Sequence, residues 1–140
     1  MAIRIVGVDV LVAACLRPTV PASGSDLVLE GTRWQAVSIL GRPPLPQAVP
    51  TLRFENHAEA SGTAGCNGFG TSEFTASGGA IDFGELGQTA MLCSDEAIME
   101  QETRYFRALN DAQRAELREG HLVVSGPEGE VVFERIEVAG

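Results

Sequence analysis

One glycine-rich stretch decides the fold of this chain: Gly62-Thr63-Ala64-Gly65-Cys66-Asn67-Gly68-Phe69-Gly70. Four glycines in these nine residues surround one cysteine and one asparagine. Because glycine accepts positive φ and lets another part of the backbone approach closely, the stretch predicts a sharply bent, tightly packed corner. Asn67-Gly68 is predicted to form a type I′ turn, in which both residues have positive φ.

A second stretch, downstream of this corner, also ends in a cysteine: Gln88-Thr89-Ala90-Met91-Leu92-Cys93. The chain contains three cysteines. If Cys15 carries a lipid, Cys66 and Cys93 remain as one possible pair. The prediction is a Cys66–Cys93 disulfide, a bond that persists in an oxidising compartment and not in the cytosol. Two buried thiols that behave as small apolar side chains are the alternative.

The composition limits the classes of function. The chain has 140 residues, of which 44% are hydrophobic, and this is enough for one domain with a core. The net charge of −9 disfavours nucleic acid as a partner, because phosphates require Lys and Arg. The chain contains no lysine, so the glycine-rich stretch does not match a phosphate-binding P-loop.

The N-terminal segment predicts an anchor in the membrane. Residues 1–15 fit a lipoprotein signal peptide, and Val12-Ala13-Ala14-Cys15 resembles the bacterial lipobox, which makes Cys15 the predicted lipidation site. Asp9 lies inside the apolar segment and disfavours its insertion. The alternative is a buried strand over Ile3–Val12 in a cytoplasmic protein. Residues 16–26 are rich in Pro, Ser and Gly and predict a flexible tether.

Residues 27–137 are predicted to form one α+β domain that is mainly β. Trp34, the only tryptophan, is expected to anchor the core. Short apolar runs between Gly and Pro predict strands at 51–55, 58–64, 72–77, 80–83, 88–92, 115–118, 121–125 and 130–136. Ser94 is predicted to cap a helix over about 94–110. One face of this helix is expected to pack on the sheet through Ile98, Met99, Glu102, Tyr105, Phe106 and Leu109.

Zinc binding is the main alternative use of the cysteines, with His57 and His121 completing a set of four ligands with Cys66 and Cys93. The sequence contains no C-x-x-C or H-x-x-x-H pair from which such a site is usually built. A catalytic Cys66 would need one of the histidines as its base, in a geometry that spacing does not define. We therefore predict no catalytic residue, no metal and no cofactor.

Five segments together resemble the META domain, the family of the heat-shock protein HslJ. They follow in the family's order over about residues 27–136. The segments are Leu29-x-Gly31-Thr32-x-Trp34, Leu52-x-Phe54, Gly62-x-x-Gly65-Cys66-Asn67-x-Phe69, Thr89-Ala90-Met91-x-Cys93, and the pair Leu122-x-Val124 with Val132-Phe133-Glu134-Arg135.

The resemblance implies a compact antiparallel sheet, curled toward a barrel, with one helix packed against it. Its motifs assign structural roles to Trp34, Gly65, Asn67 and Thr89, and the predicted turn at Asn67-Gly68 adds Gly68. It also implies an envelope location, often as a lipoprotein, and an association with stress responses and antibiotic tolerance, without an established catalytic activity.

The predicted function follows from these observations. We expect a monomeric, non-enzymatic interaction module, anchored by lipid at the periplasmic face of the bacterial envelope, whose partner is an envelope protein or a small ligand. If residues 1–15 are not a signal, the location would be cytoplasmic. The alternative function is binding of a small apolar ligand in a cavity between the sheet and the helix.

Overall fold

The structure is a computed structural model that describes residues 27–89 and 93–136. The predicted signal peptide at 1–15, with its lipidation site Cys15, and the tether at 16–26 lie outside the described residues. The elements are β1 (Arg33–Ile39), β2 (Thr51–Phe54), β3 (Ala60–Thr63), β4 (Gly68–Thr71), β5 (Thr75–Ser77), β6 (Ala80–Asp82), β7 (Gly87–Gln88), α1 (Glu96–Asn110), β8 (Arg114–Arg118), β9 (His121–Gly126) and β10 (Gly129–Arg135).

The ten strands form one antiparallel sheet in the order β5-β6-β8-β9-β10-β1-β2-β3-β4-β7. The first and last strands of the domain lie side by side at its centre, with Trp34 opposite Arg135 and Ile39 opposite Val131. A bulge between Ala36 and Ser38 increases the local twist of β1. Within residues 27–89 and 93–136, the sheet curls into a half-barrel with a single helix, which confirms the predicted α+β, mainly β fold.

The core fills the concave side of the sheet with side chains that alternate along the strands. Trp34 is 3% exposed and its indole N–H donates to the Thr32 hydroxyl over 2.8 Å, so its predicted role as a core anchor is confirmed. Three rings, Phe54, Phe74 and Phe83, pack together with centroids 5.0 to 6.4 Å apart. This aromatic cluster is formed by residues of the sheet and its loops, without an aromatic side chain of α1.

Helix α1 supplies the rest of the core. It contacts β1, β9 and β10. Four of the six residues predicted for its packing face are buried, namely Glu102, Tyr105, Phe106 and Leu109, and Gln101 and Ala108 are buried beside them. Ile98 and Met99, also predicted there, are half-buried. Within the described residues, no helix has the length and the apolar character needed to cross a membrane.

The predicted helix cap is wrong by one residue. Asp95, not Ser94, is the N-cap, because its carboxylate accepts hydrogen bonds from the backbone N–H groups of Ala97 and Ile98. These donors have no partner inside the helix, and a carboxylate there also interacts favourably with the helix dipole. The helix ends at Asn110, as predicted.

The predicted type I′ turn at Asn67-Gly68 is also wrong. The residue with positive φ is Gly65, at 126°, and neither Asn67 nor Gly68 adopts such a conformation. Gly68 opens β4 and pairs with Thr63, which requires an extended backbone. The side chain of Asn67 is buried and bonded, so this residue belongs to the interior of the corner and not to an exposed turn.

Three predicted strands are clearly shorter than expected, and the one predicted over 72–77 covers Thr75–Ser77. The strand predicted over 58–64 covers Ala60–Thr63, because the Asn56 side chain accepts hydrogen bonds from the backbone of Ala58 and Glu59 and holds them in a turn. The strand predicted over 88–92 corresponds to β7, Gly87–Gln88. Residues 90–92 of that prediction lie outside the described residues.

Gly62 offers a test of how closely β2 and β3 approach. A Cβ at this position would lie 2.8 Å from the carbonyl carbon of Thr51 and would overlap its oxygen. We expect Gly62→Ala to lower the free energy of unfolding by about 2 kcal/mol, the usual cost of overpacking, in urea denaturation. Gly70→Ala is the control, since its Cβ would lie 3.6 Å from the oxygen of Ala60. Equal stability of the two variants would contradict this close approach.

Candidate functional site

The corner at residues 65–68 is tied covalently to the start of α1. Cys66 and Cys93 form a disulfide, with their Cα atoms 6.3 Å apart. The predicted disulfide is therefore present, and it joins two positions that are 27 residues apart. Since Cys93 lies two residues before the N-cap Asp95, the bond holds the corner against the beginning of the helix.

Glu102 holds the same corner from the middle of the helix. Its carboxylate is in a residue only 4% exposed and accepts from the backbone N–H of Cys66 at 3.2 Å. It also accepts from the backbone N–H of Asn67 at 2.6 Å and from the side-chain amide of Asn67 at 2.7 Å. Three donors compensate for the loss of hydration that burial of a carboxylate entails.

Hydrogen bonds of the Asn67 side chain connect Glu102 to Thr89. The Thr89 hydroxyl donates to the amide oxygen of Asn67 over 2.8 Å and accepts from the backbone N–H of Gly68 over 3.2 Å. The backbone N–H of Thr89 donates to the carbonyl oxygen of Gly68 over 3.0 Å. We call Cys66, Asn67, Thr89 and Glu102 the corner network.

The structure brings together four of the five residues to which the sequence assigned a structural role. Gly65 packs on the helix, where an added Cβ would lie 3.3 Å from Gln101 Nε2, and Asn67, Gly68 and Thr89 share the hydrogen bonds of the corner network. The fifth, Trp34, serves the core of the sheet. Sequence reasoning missed Glu102 as a bonding residue, although an acid within an apolar helical face was a visible signal.

Two further residues of α1 bond to the chain between β1 and β2. Gln101 is 0% exposed; its oxygen accepts from the backbone N–H of Leu45 at 2.8 Å, and its nitrogen donates to the carbonyl oxygen of Ala48 at 2.6 Å. The hydroxyl of Tyr105 donates to the carbonyl oxygen of Thr51 over 3.0 Å. Burial raises the pKa of Tyr105, so it keeps this proton at any physiological pH.

Aromatic side chains occupy the space between helix and sheet. Phe69 lies 5.9 Å from Tyr105 and 5.5 Å from Phe106, and Tyr105 lies 6.3 Å from Phe133, between ring centroids. All four residues are buried. The predicted alternative of an apolar ligand held between sheet and helix gains no support from this packing.

A groove of about 420 Å³ lies on the solvent-facing side of β1–β4. Its charged side chains are Arg33 and Arg53, which stand directly opposite each other on β1 and β2. We call this space the outer groove, and it is lined by Arg33, Trp34, Thr51, Leu52, Arg53, Ser61, Gly62, Thr63, Gly68, Phe69 and Ile136.

Comparison with known families identifies the fold that carries these features. The family model of the META domain matches residues 27–137. The chain belongs to the META domain family. The corner network of this META domain lies within the matched residues, and so does the outer groove.

Solved structures resemble the META domain in fold. One, titled "NMR structure of the protein", is 22% identical over 76% of this chain and 90% of its own, with a TM-score of 0.62. A second NMR structure, of a protein from Burkholderia xenovorans, is 22% identical over 87% of this chain and 95% of its own, with a TM-score of 0.61. At this identity the likeness concerns the fold alone. Curated proteins include no match to the chain.

The two histidines of this META domain belong neither to the corner network nor to the lining of the outer groove. The side chain of His57 is 88% exposed and lies 3.8 Å from a carboxylate oxygen of Glu30. His121 opens β9, with a ring nitrogen 3.4 Å from the carbonyl oxygen of Glu119. In residues 27–89 and 93–136, no group of three or more His, Cys, Asp or Glu side chains is arranged to hold a metal ion.

Gln101 provides a test of how the helix positions the chain before β2. Gln101→Ala would leave the N–H of Leu45 and the carbonyl of Ala48 without this partner. We expect a loss of about 2 kcal/mol in the free energy of unfolding, measured in urea, because buried polar groups without partners are costly. Gln113→Ala, at an exposed position, is the control and should change stability by less than about 0.5 kcal/mol. A Gln101 variant as stable as this control would show that the two bonds contribute nothing.

Proposed function

We propose that this META domain is a non-catalytic interaction module held at the periplasmic face of the bacterial cell envelope by a lipid on Cys15. One observation carries the proposal, namely the Cys66–Cys93 disulfide. Such a bond survives in an oxidising compartment and is reduced in the cytosol. The lipobox-like Val12-Ala13-Ala14-Cys15 supplies a route to that compartment.

The chemistry of the corner network supports a structural role over a catalytic one. Cys66 has its sulfur in the disulfide, so it offers no thiolate for nucleophilic attack. The carboxylate of Glu102 is buried and accepts three hydrogen bonds from the corner. Its described contacts are the backbone N–H groups of Cys66 and Asn67 and the side-chain amide of Asn67, so the carboxylate holds the corner in place. On this proposal, the module contributes to stress response and antibiotic tolerance by binding a partner in the envelope.

Mass spectrometry of the protein from the membranes of its native host tests the anchor. We expect the mature chain to begin at Cys15 and to carry the mass of a lipid, and Cys15→Ser should abolish the modification. An intact Met1 with an unmodified Cys15 would refute the proposed anchor and location.

A deletion strain tests the role in the envelope. We expect the full chain to restore growth under heat and cell-wall antibiotics, and a variant that lacks residues 1–15 to fail at equal abundance. Equal rescue by both forms would place the activity in the cytoplasm. No difference between deletion and parent strain under either stress would remove the proposed role.

A further inference from the structure

The outer groove concentrates positive charge on an otherwise acidic protein. Arg33 and Arg53 face each other across β1 and β2, an arrangement in which like charges repel. The net charge of the chain is −9, so two cations at one place are not expected from composition. An anion placed beside both guanidinium groups would offset this repulsion.

Within residues 27–89 and 93–136, one of the two arginines has a carboxylate partner and the other has none. The Nε of Arg53 lies 2.5 Å from a carboxylate oxygen of Glu55, and its Nη2 donates to the Ser61 hydroxyl over 3.1 Å. The guanidinium of Arg33 has no hydrogen bond or ion pair with any residue in 27–89 or 93–136. Arg33 is also exposed, so all its donors can reach a ligand in the groove.

The rest of the groove fits a compact organic molecule. Its volume of about 420 Å³ lies in the range of small-molecule sites. Hydroxyl groups line it at Thr51, Ser61 and Thr63, and the absence of a side chain at Gly68 keeps it open. Apolar lining comes from the half-buried Ile136, and Trp34, Leu52 and Phe69 also border the groove although each is at most 6% exposed.

We propose that the outer groove binds an organic anion, in which a carboxylate or phosphate group pairs with Arg33 and Arg53 and a compact apolar body lies against the strands. Guanidinium groups match both oxyanions because their planar donors bond two oxygens at once. The proposal rests on the function proposed above, since it names a ligand class for the interaction module.

Titration of the ¹⁵N-labelled full chain, followed by NMR, tests the ligand class. The probes are benzoate and phenyl phosphate, which share an aromatic ring, and benzyl alcohol as their neutral counterpart. We expect at least one anion to cause saturable shifts in the amides of residues 51–53, 61–63 and 68–69. Saturation by benzoate alone or phenyl phosphate alone identifies the oxyanion that the groove prefers. Equal shifts with benzyl alcohol, or none with either anion, would overturn the proposal.

Two pairs of variants separate binding from general effects of charge and folding. Arg33→Gln should weaken binding about tenfold, because it removes charge-assisted hydrogen bonds, whereas Arg42→Gln removes the same charge outside the groove and should not. Gly68→Val should block the groove, since its Cβ would meet only the oxygen of Gly62 at 3.6 Å. Gly70→Val makes the same change in the same strand outside the lining.

The binding experiments test the outer groove independently of the lipid anchor on Cys15. Equal affinity of the two arginine variants, or of the two valine variants, would show that the anion binds elsewhere and would overturn the proposal. The folded state of every variant is checked in its own amide spectrum before titration. Because these experiments do not depend on Cys15, their failure would leave the mass-spectrometric test of the anchor unaffected.

Discussion

Glu102→Ala should lower the free energy of unfolding by about 4 kcal/mol, because two buried donors and one partly buried donor lose their acceptor at once and an unsatisfied buried donor costs about 1–3 kcal/mol. The donors are the backbone N–H of Cys66 and both the backbone and side-chain N–H groups of Asn67. A loss of this size is a large fraction of the stability of an ordinary domain. Urea denaturation of the purified domain measures it.

The matched control for this prediction is Glu100→Ala, which removes the same charge from an exposed position of the same helix. It should change stability by less than about 0.5 kcal/mol. Glu102→Gln should fall between wild type and Glu102→Ala, since glutamine keeps one acceptor oxygen but presents an amide donor to the corner. If Glu102→Ala were no less stable than Glu100→Ala, the bonds of the corner network would not stabilise the fold.

Loss of the Cys66–Cys93 bond should cost about 3.5 kcal/mol. The chain-entropy model gives this value for a bond that joins positions 27 residues apart, because the reduced unfolded chain gains conformational freedom. Urea denaturation with and without a reducing agent measures the difference. We expect the reduced protein to unfold at a clearly lower urea concentration, with a slope at least as steep, because the unlinked denatured chain is less compact.

The double variant Cys66→Ala/Cys93→Ala is the control for the reducing agent. It should resemble the reduced wild type and should not respond to reductant. A wild type whose transition is unchanged by complete reduction, verified by alkylation of both thiols, would contradict the stabilising role of the bond.

The corner illustrates how far the sequence predicted the candidate site. The dense glycines and the spacing of Cys66 and Cys93 indicated a bent, covalently joined corner, and the structure contains both. The conformation within it was not predictable from local preference. Asn67-Gly68 is a favoured turn pair in isolation. In the structure, however, the Asn67 side chain donates to the buried carboxylate of Glu102, and Gly68 is extended because it pairs with Thr63 in the sheet.

Glu102 shows why the bonding partners were harder to predict than the elements. Helical spacing placed it on the buried face, and this was correct. Its partners lie 35 and 36 positions earlier in the chain, and nothing local indicates which distant groups a buried carboxylate will meet. Gln101 was missed for the same reason, since its partners lie 56 and 53 positions away.

The outer groove depends on pairing between strands that the sequence alone does not place. Arg33 and Arg53 become neighbours only because β1 and β2 pair in one register, with Arg33 opposite Arg53. The alternation of buried and exposed residues was visible in each strand, but a shift of one residue would have moved either arginine to the other face. The outer groove could therefore not be predicted from the sequence pattern alone.

The most direct test of the account is a peptide map, under non-reducing conditions, of the protein isolated from its native cells with free thiols alkylated during lysis. We predict that the peptides containing Cys66 and Cys93 are recovered as one cross-linked species, which reduction separates. Recovery of both peptides alkylated and unlinked would contradict both the covalent attachment of the corner to the helix and the proposed oxidising location.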